Sequence, residues 1–130
     1  MSKKFRYYWL PVFVWAALIF SVSSISRFPE KAAPLFSCDK LAHMIEYAIL
    51  AFLLARAFRN SDSQTRRKNF RILAVICAIV YGLSDELHQY FVPLRTPSAF
   101  DWLFDSIGAF LGPMVYREKI ISNQGEESNG

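Results

Sequence analysis

The sequence predicts an all-α membrane protein: four transmembrane helices in one bundle, with both termini in the cytoplasm. Three observations predict it. Apolar residues arrive in blocks, and hydrophobic residues make up 53% and aromatics 16% of the 130 residues. Such blocks are long enough to cross hydrocarbon. Basic residues flank the blocks unevenly. Eleven of the fifteen Lys and Arg residues fall in the N-terminal segment, residues 56–71 and the tail, and four (Arg27, Lys31, Lys40, Arg95) fall in the other two connections. The positive-inside rule then places both termini in the cytoplasm. Third, the polar residues that interrupt the apolar pattern gather in one stretch, Tyr81 to Gly112. A mean hydropathy of +0.19 keeps a soluble helical bundle as the alternative, but the run lengths favour a bilayer.

Length allows one domain, residues 1–130. The net charge of +4 is explained by residues that flank apolar runs, so no nucleic-acid partner is expected. Cys38 falls in a connection and Cys77 in an apolar run, which argues against a disulfide.

The first span is expected over about residues 7–24, with Pro11 in its first turn. Ser21-Val22-Ser23 resembles a cleavage site, but removing this segment would worsen the charge balance of the remaining spans. A connection broken by Pro29 and Pro34 leads to a second helix over about 39–58. Its first turns carry Lys40, His43 and Glu46, so it needs partners within the bundle. Residues 56–71 form a basic loop, and the third helix follows over 70–90. Pro93 and Pro97 turn the chain, and Ser98 to Asp101 reads as a capping box for a fourth helix over 98–116. Residues 119–130 are a polar tail.

This connectivity brings three helix ends to one face of the membrane: the start of the second, the end of the third and the start of the fourth. The unusual polar residues all lie there. At 1.5 Å per residue, Glu46 and Asp105 sit about 10 Å below that face. At 100° per residue, Lys40, His43 and Tyr47 share a side of the second helix, and Gly82, Asp85, Glu86 and Gln89 a side of the third. Asp101, Asp105, Gly108 and Gly112 line up on the fourth, where Gly108-x-x-x-Gly112 admits a neighbouring backbone. The expected picture is a polar funnel in the outer third of the bundle. Capping explains Asp101 alone, and interfacial charge explains Lys40. His88 falls out of phase and is expected at the headgroups. Asp85 or Glu86 paired with Arg95 would be a structural lock. None of these accounts for Glu46, Glu86, Gln89 and Asp105 at one depth.

At these residues the chain resembles the VanZ-like family. The resemblance rests on Lys-x-x-His-x-x-x-Tyr (Lys40, His43, Tyr47) and on Glu-x-x-Gln-x-Phe/Tyr-x-Pro-x-Arg (Glu86, Gln89, Phe91, Pro93, Arg95). It continues as Asp-x-x-x-Asn/Asp-x-x-Gly-x-x-x-Gly (Asp101, Asp105, Gly108, Gly112). It covers about Tyr8 to Tyr116, and many members carry Asn where this chain has Asp105. The resemblance implies a small multi-pass protein of the bacterial inner membrane. It also implies a link to a family whose named member is associated with low-level resistance to teicoplanin-type glycopeptides. It transfers no catalytic residue.

Two classes of function remain. In the first, the funnel binds or modulates an envelope amphiphile, a lipid-linked sugar or a lipophilic glycopeptide. Lys40, His43 and Arg95 would meet its phosphate or carboxylate, and Tyr47, Gln89, Glu86, Asp101 and Asp105 would complete the pocket. In the second, Glu86 with His43 or Asp105 is the acid/base pair of an intramembrane hydrolase or transferase. No nucleophile motif or phosphate loop is present. His43-x-x-Glu46 offers two ligand types on one face without the spacing that completes a metal site, so neither metal nor cofactor is expected. Membrane lipids are the expected surroundings, and self-association stays open. A proton-coupled transporter is disfavoured by four spans without an inverted repeat.

Overall fold

The computed structural model describes residues 2–24, 38–93 and 99–116, and every regular element among them is an α-helix. The helices are α1 (Lys3–Ser23), α2 (Cys38–Arg59), α3 (Gln64–Lys68), α4 (Phe70–Tyr90) and α5 (Ala99–Val115). The helix bounds of α2, α4 and α5 lie within a residue of those expected. α1 begins earlier than expected because the Ser2 hydroxyl caps it, accepting from the Phe5 N–H at 3.1 Å. Lys3, Lys4 and Arg6 are therefore helical, and Pro11 lies in the third turn rather than the first. The helix accommodates the lost N–H there without ending. α3 is a second departure. The run expected as a loop winds one turn over Gln64, Thr65, Arg66, Arg67 and Lys68, mostly good helix formers. The expected Ser98 cap of α5 lies outside the described residues.

Side-chain distribution is inverted relative to a water-soluble bundle. Ile72, Ile76, Val80, Leu83 and Leu87 form an i, i+4, i+8, i+11, i+15 stripe on α4, and each is more than half exposed. Leu10, Phe13 and Leu18 on α1, and Phe100, Phe110 and Met114 on α5, do the same. Beside Val12 and Ile19 on α1 and Tyr47, Leu50 and Leu54 on α2, the buried faces are built from small residues: Ala51, Ala55 and Ala57 on α2, Ala74, Ala78 and Gly82 on α4, Gly108, Ala109 and Gly112 on α5. Many large aliphatics outside and mostly small residues inside suit helices packed in hydrocarbon, where association depends on close van der Waals fit. α1 and the Lys40–Arg59 part of α2 are each long and apolar enough to cross a membrane.

α2 and α5 form the closest pair. A Cβ at Gly108 would collide with the Met44 carbonyl oxygen, and one at Gly112 with that of Ala48. The neighbour admitted by the glycine pair is thus the α2 backbone. α1 is held differently, by longer reaches. The Trp15 indole N–H donates to the Glu46 carbonyl at 2.9 Å, the Tyr81 hydroxyl donates to the Ala16 carbonyl at 2.6 Å, and Trp9 meets Phe58 edge-on at 5.2 Å.

One end of the bundle carries the start of α2, the end of α4 and the start of α5. It is called the polar end below, and the opposite end, with α3 and the start of α1, the basic end.

Candidate functional site

The inward stripe of α4 changes chemistry as it approaches the polar end. Ala74, Ala78 and Gly82 give way to Asp85, Glu86 and Gln89, still on the buried side. Gly82 matters at the transition: a Cβ there would lie 3.2 Å from Tyr47 Cε1 and 3.5 Å from Asp105 Cβ. The bare backbone lets Tyr47 of α2 and Asp105 of α5 meet α4.

Tyr47, Asp85, Gln89 and Asp105 are all at most 4% exposed. His43 Nδ1 sits 3.2 Å from Asp105 Oδ1, at ion-pair distance but off the line of a well-formed hydrogen bond. The Tyr47 hydroxyl lies in the field of both Asp85 and Asp105. Gln89 donates through Nε2 to the Ser23 hydroxyl at 2.9 Å, and the same nitrogen is 3.5 Å from Asp85 Oδ2, the outer limit of a hydrogen bond. Four helices therefore contribute: Ser23 from α1, His43 and Tyr47 from α2, Asp85 and Gln89 from α4, Asp105 from α5.

This group is rich in acceptors. Asp85 Oδ1, both Asp105 oxygens and the Tyr47 hydroxyl are buried without a hydrogen-bond partner. Leaving such atoms unpaired in a low-dielectric interior is costly, and sites that do so are commonly completed by water or a ligand. No three His, Cys, Asp or Glu side chains among the described residues are arranged to hold a metal ion.

Of the residues expected at the site, His43, Tyr47, Gln89 and Asp105 come together, and Glu86 is buried on the same turn of α4. Asp101 and Glu46 lie at the margin, half-buried and within electrostatic range of His43. Lys40 stands apart from the buried group, its ammonium 5.1 Å from the Phe100 ring centre and 5.9 Å from that of Phe104. Gly108 and Gly112 set the α2–α5 approach that holds His43 beside Asp105. Arg95, with its proposed pairing, lies outside the described residues.

Two features went unread in the sequence. Ser23 is the hydrogen-bond partner of Gln89, although nothing but its small polar side chain in an apolar helix marks it. The second is the packing of His88 at the end of α4. Its ring stacks on Phe20 at 4.4 Å, and Nε2 lies 3.0 Å from the Ser24 hydroxyl, so it closes the end of α1 onto α4.

The family model described as VanZ/LLP1 matches residues 2–122, nearly the whole chain. Neither a curated protein nor a solved structure matches.

Proposed function

This chain belongs to the VanZ/LLP1 family, and we propose that it is a four-span protein of the bacterial inner membrane that binds the polar head of an envelope amphiphile. Both termini face the cytoplasm, and the polar end opens outward. The carrying observation is the surplus of buried carboxylate acceptors on Asp85 and Asp105. Such a surplus calls for a ligand that donates hydrogen bonds, and sugar hydroxyls do so. Lys40, at the rim, is a point charge for the phosphate of a lipid-linked sugar or the carboxylate of a lipophilic glycopeptide. His43, with a side chain 13% exposed, lies between rim and interior.

The His43–Asp105 pair favours a second reading, an intramembrane acid/base enzyme acting on the same lipid. One experiment separates the two. Purified protein in nanodiscs is offered a polyprenyl-phosphate N-acetylhexosamine or the same polyprenyl phosphate without sugar, followed by native mass spectrometry. The binder retains the sugar-bearing lipid intact and about tenfold better than the bare phosphate, and Asp85→Asn and Asp105→Asn remove that preference. Conversion of the lipid would establish the enzyme. Equal retention of both lipids would overturn both readings of the polar end. For topology, a reporter after Gly130 reads cytoplasmic and one near Lys31 reads external; the reverse pattern would invert the site's placement.

A further inference from the structure

The basic end holds a cavity of about 300 Å³ between the first turns of α1 and the connection from α2 to α3. Its wall includes Lys4, Tyr8, Trp9, Ser61, Asp62 and Arg66. We propose that this cavity is a headgroup site for an anionic phospholipid of the cytoplasmic leaflet. The inference rests on the orientation given above and does not involve the polar end.

Charge is the first argument. Residues 3–6 and 56–71 bring nine Lys and Arg side chains to this end, against the single carboxylate of Asp62. A basic pocket between helices on the cytoplasmic side is the recurring design for a phosphate head. The chemistry of the wall is the second. Ser61 is buried and accepts from the Ser63 N–H at 3.3 Å, which leaves its own O–H to donate. Lys4 and Arg66 supply the counter-charge.

The third argument selects a lipid over free phosphate. The α1 side of the cavity is aromatic, with Phe5, Tyr8 and Trp9. Below it Phe13, one turn on from Trp9 and 6.2 Å from it between ring centres, continues this side of the helix and is more than half exposed. A headgroup in the cavity would place its acyl chains on that track. Inorganic phosphate would use none of it. Arg56 of α2, stacked 4.7 Å from the Tyr7 ring centre and 4.8 Å from that of Tyr8, ties Tyr8 to α2.

Asp62 tunes the site. From the connection between α2 and α3 it holds Lys4 of α1 at 2.9 Å, keeping the ammonium in the wall while reducing its net charge. A phosphate entering the cavity must share Lys4 with that carboxylate.

The test uses the full-length protein in nanodiscs of phosphatidylcholine, with and without one part in five of phosphatidylglycerol, and counts lipids retained on ejection into a mass spectrometer. Phosphatidylglycerol should be retained selectively. Lys4→Gln with Arg66→Gln should weaken retention roughly thirtyfold, and Asp62→Asn should strengthen it about fivefold. The comparison variant is Arg67→Gln with Lys68→Gln, which removes the same charge from exposed positions outside the cavity wall. If it weakens retention as much, a diffuse basic surface replaces the site and the proposal fails. Release of phosphatidylglycerol by millimolar inorganic phosphate would also overturn it, because a phosphate pocket without a lipid track would then suffice. Lys4 and Arg66 are exposed, so the variants are expected to fold. Unchanged thermal unfolding confirms it.

Discussion

The two ends of the bundle use the same residue types to opposite effect. At the polar end, His43 and Asp105 meet at 3.2 Å with Asp105 1% exposed. At the basic end, Lys4 and Asp62 meet at 2.9 Å with both side chains open to solvent. The shorter contact is the weaker one. Water screens Lys4 and Asp62 whether or not they touch, so their pairing adds little to stability. Asp105 has given up its hydration, and taking away its partner leaves a charge or an unpaired acceptor at low dielectric. Arrangement follows from the same difference. The basic end spreads its cations over aromatic rings, Arg56 on Tyr7 and Tyr8, Arg71 on Phe70. The polar end locks its groups between backbones that only glycine permits.

That contrast can be broken most severely at the glycines. Gly108→Leu and Gly112→Leu each drive a side chain into an α2 carbonyl, and both should abolish monodisperse folded protein in detergent. Size-exclusion chromatography reads the result, and normal yield for both would place that face of α5 toward lipid. Next in size is the buried pair. His43→Ala and Asp105→Ala should each cost about 3–5 kcal/mol, because each leaves its partner stranded. The double variant should cost less than the sum by about 1–3 kcal/mol. Strict additivity in a double-mutant cycle of denaturant unfolding would mean the pair is not coupled. Asp105→Asn, which keeps the shape and removes the charge, should be the mildest of the set.

The smallest effect belongs to the basic end. Lys4→Gln and Asp62→Asn should leave the thermal midpoint unchanged within error. Lys4 holds the Asp62 carboxyl below the usual aspartate range. Whatever stability that contact gives is therefore complete above the unfolded aspartate pKa of about 3.9, and fades only as pH falls through the lower folded value. Unfolding of the wild type and of Asp62→Asn should run parallel between about pH 5 and 8, and divergence there would show a larger role for the pair.

How much of this was legible depends on what each feature needs to be read. α4 was readable because an apolar run follows its basic flank and Pro93 turns the chain just beyond its end. The convergence of His43, Tyr47, Gln89 and Asp105 followed from helical phase, since 100° per residue is a property of the backbone alone. The start of α1 was misread because a basic segment looks like a flank, and only the Ser2 cap decides that it is helical. α3 was missed for the same reason: charge hides a modest helix propensity. Ser23 and the stacking of His88 on Phe20 depend on how α1 leans against α4. That lean is set by contacts such as Tyr81 with Ala16, sixty-five residues apart, and no local pattern encodes them.

The glycine-mediated contact of α5 on α2 also constrains the order in which the molecule can be made. Met44 and Ala48 are synthesised some sixty residues before Gly108 and Gly112, the positions that close on them. A growing chain must therefore deliver α2 to the membrane, with His43 and Tyr47 already on its inward side, while its nearest neighbour does not yet exist. Any chain that stops short of Gly112 lacks the contact that seats α2. α5, made after α2, is the helix that closes on it, so the seat of α2 is complete only once Gly108 and Gly112 have been made.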